Sequence, residues 1–91
     1  MSQKVTIYTA GPECGLCTRA KTEMNRQGLD YEEVNLKENP EALAMVKGLD
    51  YQMAPVTLRT DTANDAVLEH WGGFRPDRIK AAIMADRATS G

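Results

Sequence analysis

Two cysteines three positions apart, Cys14 and Cys17, stand where one backbone period gives way to another. Upstream, Val5 and Ile7 alternate with Thr6 and Tyr8, the two-residue period of a strand, which predicts β-structure from Lys4 to Thr9. Ala10-Gly11-Pro12-Glu13 breaks that alternation. From Gly15 onward, Cys17, Ala20 and Met24 fall on one helical face and Arg19, Lys21 and Glu23 can face water. Gly28 stands where a left-handed cap would end this helix. The cysteine pair therefore lies at a strand-to-helix turn, at the carboxyl end of the first strand, where α/β sheets tend to place their sites.

The rest of the chain supplies the remaining elements of such a sheet. Tyr31–Leu36 reads as a second strand with Val34 and Leu36 on one face. Asn39-Pro40-Glu41 then opens a helix: Asn39 can cap, Pro40 suits the first helical position, and Glu41 meets the positive end. Ala42, Met45, Val46 and Leu49 follow the helical period, with Gly48 near its end, and a connector over Asp50–Ala54 leads to Pro55. Val56 and Leu58 make a third strand. The polar turn Asp61–Asp65 returns the chain as a short fourth strand, Ala66–Glu69, so the two read as an antiparallel hairpin. After Gly72-Gly73 the last helix starts near Arg75-Pro76-Asp77, turns Ile79, Ala82 and Ile83 inward, and leaves residues 86–91 as a frayed tail. The order β-α-β-α-β-β-α, with its first two strands parallel across a right-handed crossover, predicts a four-stranded mixed sheet flanked by three helices. At 91 residues and 10.0 kDa the chain is read as one α/β domain, residues 1–91.

Charge and hydropathy narrow the functional classes. Eleven Lys and Arg against thirteen Asp and Glu give a net charge of −2, without the basic excess of a nucleic-acid platform. The longest aliphatic runs, Ala42–Val46 and Ala81–Ala85, are far too short to cross a bilayer. Met1-Ser2-Gln3-Lys4 leads directly into the first strand without an apolar signal region, so the expected location is the cytoplasm, where thiols stay reduced. A Cys-x-x-Cys pair there is read as redox-active or metal-binding rather than as a structural staple.

The redox reading follows from placement. Two cysteines three apart at a helix start share a face and can close a small disulfide ring. The first lies where free backbone N–H groups and the helix dipole favour a thiolate, and such sites lower a cysteine from pKa ~8.5 to about 7. Cys14 is thus expected to attack an external disulfide, and Cys17, one turn deeper, to resolve the mixed disulfide. The metal reading is poorer in ligands. Zinc takes about four, no second cysteine pair exists, and His70 is the only histidine, so a zinc module would have to bridge two chains.

Other residues carry two readings each. Pro55 is either a strand-start proline or the second residue of a cis peptide bond beside the cysteines. His70 is either a solvated strand-end residue or a proton-transfer group. Trp71 and Phe74 pack the core or meet a ligand. Gly72-Gly73 permits a turn or, next to a helix N-terminus, receives a carboxylate. Leu16 offers an apolar contact to partners or is a partly buried helix residue.

Tyr8-Thr9, Cys14-Gly15-Leu16-Cys17, Ala54-Pro55-Val56 and Trp71-Gly72-Gly73-Phe74-Arg75-Pro76-Asp77-Arg78-Ile79 occur in an order and spacing that resembles the NrdH-redoxin family of glutaredoxin-like proteins. The resemblance runs from Val5 to about Ala85, and the Trp71–Asp77 stretch is its specific part. It implies a thioredoxin/glutaredoxin-like fold and a monomeric, cytoplasmic dithiol carrier without a bound cofactor or metal. Electrons would come from NADPH through thioredoxin reductase and pass to class Ib ribonucleotide reductase. It further implies Cys14 as attacking thiol, Cys17 as resolving thiol, a redox disulfide between them, and Pro55 as a cis-proline. Leu16, Ala54, Pro55, Trp71, Gly72, Gly73, Phe74 and Arg75 would form the partner-contact surface, with the last stretch held by hydrogen bonding around Arg75.

The sequence departs from the family pattern at three places. Gly15-Leu16 replaces the usual Val-Gln, and Asp61–Asp65 is a longer turn. Gly72 replaces a serine, restoring the Gly-Gly of glutathione-binding glutaredoxins. A glutathione-dependent glutaredoxin is therefore the competing reading, although Phe74 and Arg75 stand where those proteins carry a small polar residue and Asp.

Overall fold

In a computed structural model, residues 3–11 and 13–90 are described, the side chains of 86–90 excepted. The elements are β1 (Gln3–Thr9), α1 (Gly15–Gln27), β2 (Glu32–Asn35), α2 (Pro40–Gly48), β3 (Val56–Asp61), β4 (Val67–Gly72) and α3 (Pro76–Ser90). They form one four-stranded sheet in the order β2-β1-β3-β4. β1 pairs with β2 in parallel, as a crossover through α1 requires, and β1–β3 and β3–β4 are antiparallel.

Alternation along β1 divides the core between the two faces. Val5 and Ile7 pack with Ala20 and Met24 of α1, with Ile79 and Ala82 of α3, and with Trp71. On the other face Leu36, Val46, Val56 and Leu58 form a second cluster, covered by Tyr8, Ala42, Met45, Leu49 and Tyr51. Met24, Ile7 and Ile79 are each completely buried, and each stabilises the fold by about 1.5–3 kcal/mol. The helix ends follow their local chemistry. Gly28 adopts φ 83°, and the N–H of Leu29 returns to the Met24 carbonyl at 2.9 Å, so the cap also seats Leu29 in the core beside Met24. The Asn39 side chain accepts from the Ala42 N–H at 3.0 Å ahead of Pro40.

At the end of the sheet away from the cysteines, Arg59 of β3 bonds Gln3 of β1 and Glu69 of β4, and Glu69 also pairs with Arg78 of α3. The hairpin turn is held by Asp61, whose carboxylate accepts from the Ala63 N–H at 2.8 Å while its own N–H donates to the Ala66 carbonyl at 2.9 Å.

Two boundaries differ from the sequence reading. β4 runs from Val67 to Gly72 rather than over Ala66–Glu69, because His70, Trp71 and Gly72 pair with Leu58, Thr57 and Val56. The ladder slips between Arg59 and Thr60, so Leu68 is the unpaired residue of a bulge. β2 is shorter than Tyr31–Leu36, although the Leu36 N–H still reaches the Thr9 carbonyl at 2.8 Å. The α3 backbone is helical through Ser90; of the tail expected to fray, Gly91 and the side chains of 86–90 lie outside the described residues.

Candidate active site

β1 ends at Thr9 and delivers the chain into a turn that only glycine makes easily: Gly11 is buried at φ 98°, and its carbonyl accepts from the Cys14 N–H at 3.2 Å. Cys14 then caps α1. Its backbone is extended (φ −78°, ψ 103°), and its sulfur accepts from the Cys17 N–H at 3.3 Å. Serine and aspartate oxygens ordinarily fill this capping position, so the sulfur occupies a seat suited to negative charge. No acidic side chain lies in the first turn of α1. The neighbouring Glu13 carboxylate lies 3.7 Å from Lys37.

Cys14 and Cys17 form a disulfide with their Cα atoms 5.2 Å apart. Cys14 is half-buried, whereas Cys17 is 1% exposed. Of the two sulfur-bearing residues, Cys14 is therefore the more accessible from outside. One turn beyond Cys17, Lys21 bonds both oxygens of Glu33, and Glu33 accepts from the buried Thr9 hydroxyl at 3.0 Å, tying α1 to β2 and β1. Among the described residues no group of three or more His, Cys, Asp or Glu could hold a metal ion.

The second half of the site comes from the far side of the sheet. The Ala54–Pro55 peptide bond is cis, and the buried Pro55 presents its carbonyl to the Gly73 N–H at 2.8 Å. That bond joins the segment before β3 to the segment after β4. A cavity of about 400 Å³ opens there, lined by Leu16, Asp50, Tyr51, Gln52, Met53, Ala54, Gly72 and Gly73. Four residues expected at the partner surface, Leu16, Ala54, Gly72 and Gly73, thus meet in one depression, and Leu16 is exposed between the cysteines.

Three others stand elsewhere. Trp71 is 4% exposed and faces α1 and α3, so its contribution is core packing and not partner contact, because residues of a strand alternate faces and Gly72 takes the outer one. Phe74 is half-buried against the same core under the Arg19 guanidinium, 4.7 Å from its ring centre. Arg75 is exposed and bonds both oxygens of Asp77 at 3.1 and 3.2 Å, while its carbonyl accepts from the N–H groups of Arg78 and Ile79. The hydrogen-bonded turn expected around Arg75 is therefore present.

The sequence reading passed over Tyr51. Its hydroxyl is 2.7 Å from His70 Nδ1, and its ring lies so close to Gly72 that a Cβ there would meet two ring carbons at 2.9 and 3.0 Å. Gly72 is thus the residue that lets Tyr51 wall the cavity. The only available signal was a bulky aromatic in a short connector. His70 is exposed, as one of its two readings had it.

A helix N-terminal dithiol on a sheet of this order places the chain in the class of thioredoxin-fold thiol–disulfide oxidoreductases. Residues 5–58 match the Glutaredoxin family. The glutaredoxin-like protein NrdH of Escherichia coli (strain K12) is 32% identical over 87 residues, 96% of this chain and 98% of its own length. The solved structure of NrdH-redoxin from Escherichia coli, described for its thioredoxin-like activity profile, superposes with a TM-score of 0.73 at 32% identity, covering 86% of this chain and 92% of that one. Reduced Schistosoma mansoni thioredoxin, at 12% identity and a TM-score of 0.71 over 93% of this chain and 79% of its own, shares the fold. The chain belongs to the glutaredoxin family and, within it, to the NrdH-redoxins.

Proposed function

We propose that this oxidoreductase is a monomeric, cytoplasmic electron carrier of thioredoxin type. It is reduced by an NADPH-dependent thioredoxin reductase and delivers its electrons to a class Ib ribonucleotide reductase. The Cys14 thiolate attacks the partner's disulfide; that S–S bond breaks, a Cys14–partner disulfide forms, and the first partner sulfur leaves and takes up a proton. The Cys17 thiolate then attacks the Cys14 sulfur, closing the internal disulfide and releasing the second partner thiol. Two electrons and two protons pass from the dithiol to the partner, and the reductase returns them.

The observation that carries the choice of reductant is at the N-terminus of α3, where a glutathione carboxylate would be received. Asp77 already fills that place in the first turn: the Arg75 side chain, and then the N–H groups of Arg78 and Asp77, hold its carboxyl below the usual range. The Gly73 N–H is also engaged, by Pro55. A glutathione carboxylate would have to share that helix end with the Asp77 carboxylate. The relative described for a thioredoxin-like activity profile supports the same choice.

The test compares two reducing systems on insulin or Ellman's reagent: NADPH with thioredoxin reductase, and NADPH with glutathione reductase and glutathione. Turnover is expected with the first. Turnover with the second alone would overturn the proposal.

A further inference from the structure

Glu33 occupies a position where a sheet of this kind ordinarily turns an apolar side chain to its helix. It lies opposite Ile7 in the β1–β2 ladder, and paired residues share a face, so its carboxylate joins Val5 and Ile7 on the side covered by α1. Two residues hold it there. The Thr9 hydroxyl donates to one oxygen at 3.0 Å, and the Lys21 ammonium donates to both at 3.1 and 3.2 Å. Thr9 is 1% exposed, so the carboxylate is fixed to the buried end of β1 from which the chain turns to Cys14. Lys21 follows Cys17 by four residues on α1, which sets the two on one face with Cβ atoms about 5–6 Å apart. Helical side chains lean towards the N-terminus, so Lys21 lies back over the turn that holds Cys17.

Cys17 is the thiol that this charge can serve. Burial disfavours a thiolate, yet the closing attack on the Cys14 sulfur needs one, and the Cys17 N–H is already given to Cys14. The elements packed on α1 face it with uncharged residues: β1 presents Val5, Ile7 and Thr9, and α3 presents Ile79 and Ala82. Arg19 lies over the Phe74 ring, and residues two apart on a helix do not face each other. Glu32 pairs with Lys4, while Glu13 and Lys37 pair at the surface before Cys14. The charges set against Cys17 are therefore those of Lys21 and Glu33.

Resting on the thiol-exchange reading above, we propose that Lys21 and Glu33 are a pair of positioning residues for the resolving step. The ammonium favours the Cys17 thiolate and the carboxylate tempers it. Their balance sets how long the mixed disulfide between Cys14 and the partner lasts.

The test isolates Cys17 in a Cys14→Ser background and follows its thiolate across pH by ultraviolet absorbance. Lys21→Met leaves the Glu33 carboxylate unopposed and is expected to lower the thiolate fraction at neutral pH. Glu33→Gln keeps an acceptor for Lys21 but removes the negative charge, and is expected to raise that fraction. Each change should be about threefold, the scale of one charge roughly one helical turn away in a partly solvated site. The double variant should return close to the Cys14→Ser parent, and Lys21→Arg, which keeps the charge, should match it. With Cys14 restored, the mixed disulfide formed with a chromogenic thiol should resolve more slowly in Lys21→Met and faster in Glu33→Gln. The rates should move less than the thiolate fraction, because a more acidic thiol is a weaker nucleophile. A pair that only ties α1 to β2 would shift both single variants in the same direction; such a result, or thiolate titrations that do not move, would overturn the proposal. Failure of the natural protein to reduce Ellman's reagent would overturn the thiol-exchange reading and this one with it, whereas reduction of Ellman's reagent with unmoved titrations overturns this one alone.

Discussion

The N–H of Cys17 donates to the sulfur of Cys14 across 3.3 Å, so the backbone of the deeper cysteine caps the sulfur of the outer one. A donor at this distance favours the ionised form of a capping group, and α1 adds the positive end of its dipole. Under the proposed exchange cycle the two thiols act in turn. Cys14→Ser is expected to abolish disulfide reduction, while Cys17→Ser should attack once and remain as a mixed disulfide with the partner. Mass spectrometry of each variant after exposure to an oxidised partner checks both outcomes. A Cys14→Ser protein that retained full activity would reverse the assignment.

Gly72 and Tyr51 are expected to be energetically coupled. Adding a Cβ at Gly72 forces the Tyr51 ring from its seat and should cost about 1–3 kcal/mol of stability, with loss of the Tyr51–His70 bond. In a Tyr51→Ala background the same Gly72→Ala change should cost much less. A double-mutant cycle by urea denaturation measures the coupling, and simple additivity would mean the ring moves aside freely.

Thr57 is a weak point inside the sheet. It is wholly buried, and its hydroxyl has no hydrogen-bond partner among the described residues. Thr57→Val keeps the branched shape and removes the unsatisfied group, so stability should rise by about 1 kcal/mol, or roughly 4–8 °C in Tm for a domain of this size. Calorimetry tests this, and a lower Tm would show that the hydroxyl is satisfied in solution.

Asp77 gives the turn before α3 a pH signature. The Arg75 hydrogen bond holds its carboxyl below the usual range near pH 4, so the charged form is favoured in the folded state. The resulting stability is present above that range and is lost as pH falls through the folded value. Asp77→Asn should therefore be less stable than the natural protein at neutral pH and converge with it in acid, by a small, salt-sensitive amount because both partners are exposed. Urea midpoints measured across the acid range check this; a gap that stayed constant with pH would exclude the ion pair as its source.

The order of elements was legible because each is marked locally: the alternation of Val5 and Ile7, the Asn39-Pro40 start, the Gly28 stop. The cysteine pair was legible for the same reason, since a helix start and a three-residue spacing are both local. What escaped reading is set by contacts across the sheet. β4 extends to Gly72 because Val56 pairs with it, although Gly72-Gly73 looks like the end of structure. Which of its two readings Trp71 takes is settled the same way: strand pairing gives it the α1–α3 face, and no local cue fixes that register. Tyr51 reads as connector, yet it becomes a cavity wall once His70 and Gly72 arrive from a strand about twenty residues away.

The most direct test of the account is the pH dependence of Cys14 alkylation in the reduced protein, followed residue by residue. The account predicts that Cys14 reacts before Cys17, with an apparent pKa clearly below that of an ordinary cysteine. A first thiol that titrates at about 8.5, as an unperturbed cysteine does, or a faster reaction at Cys17, would contradict it.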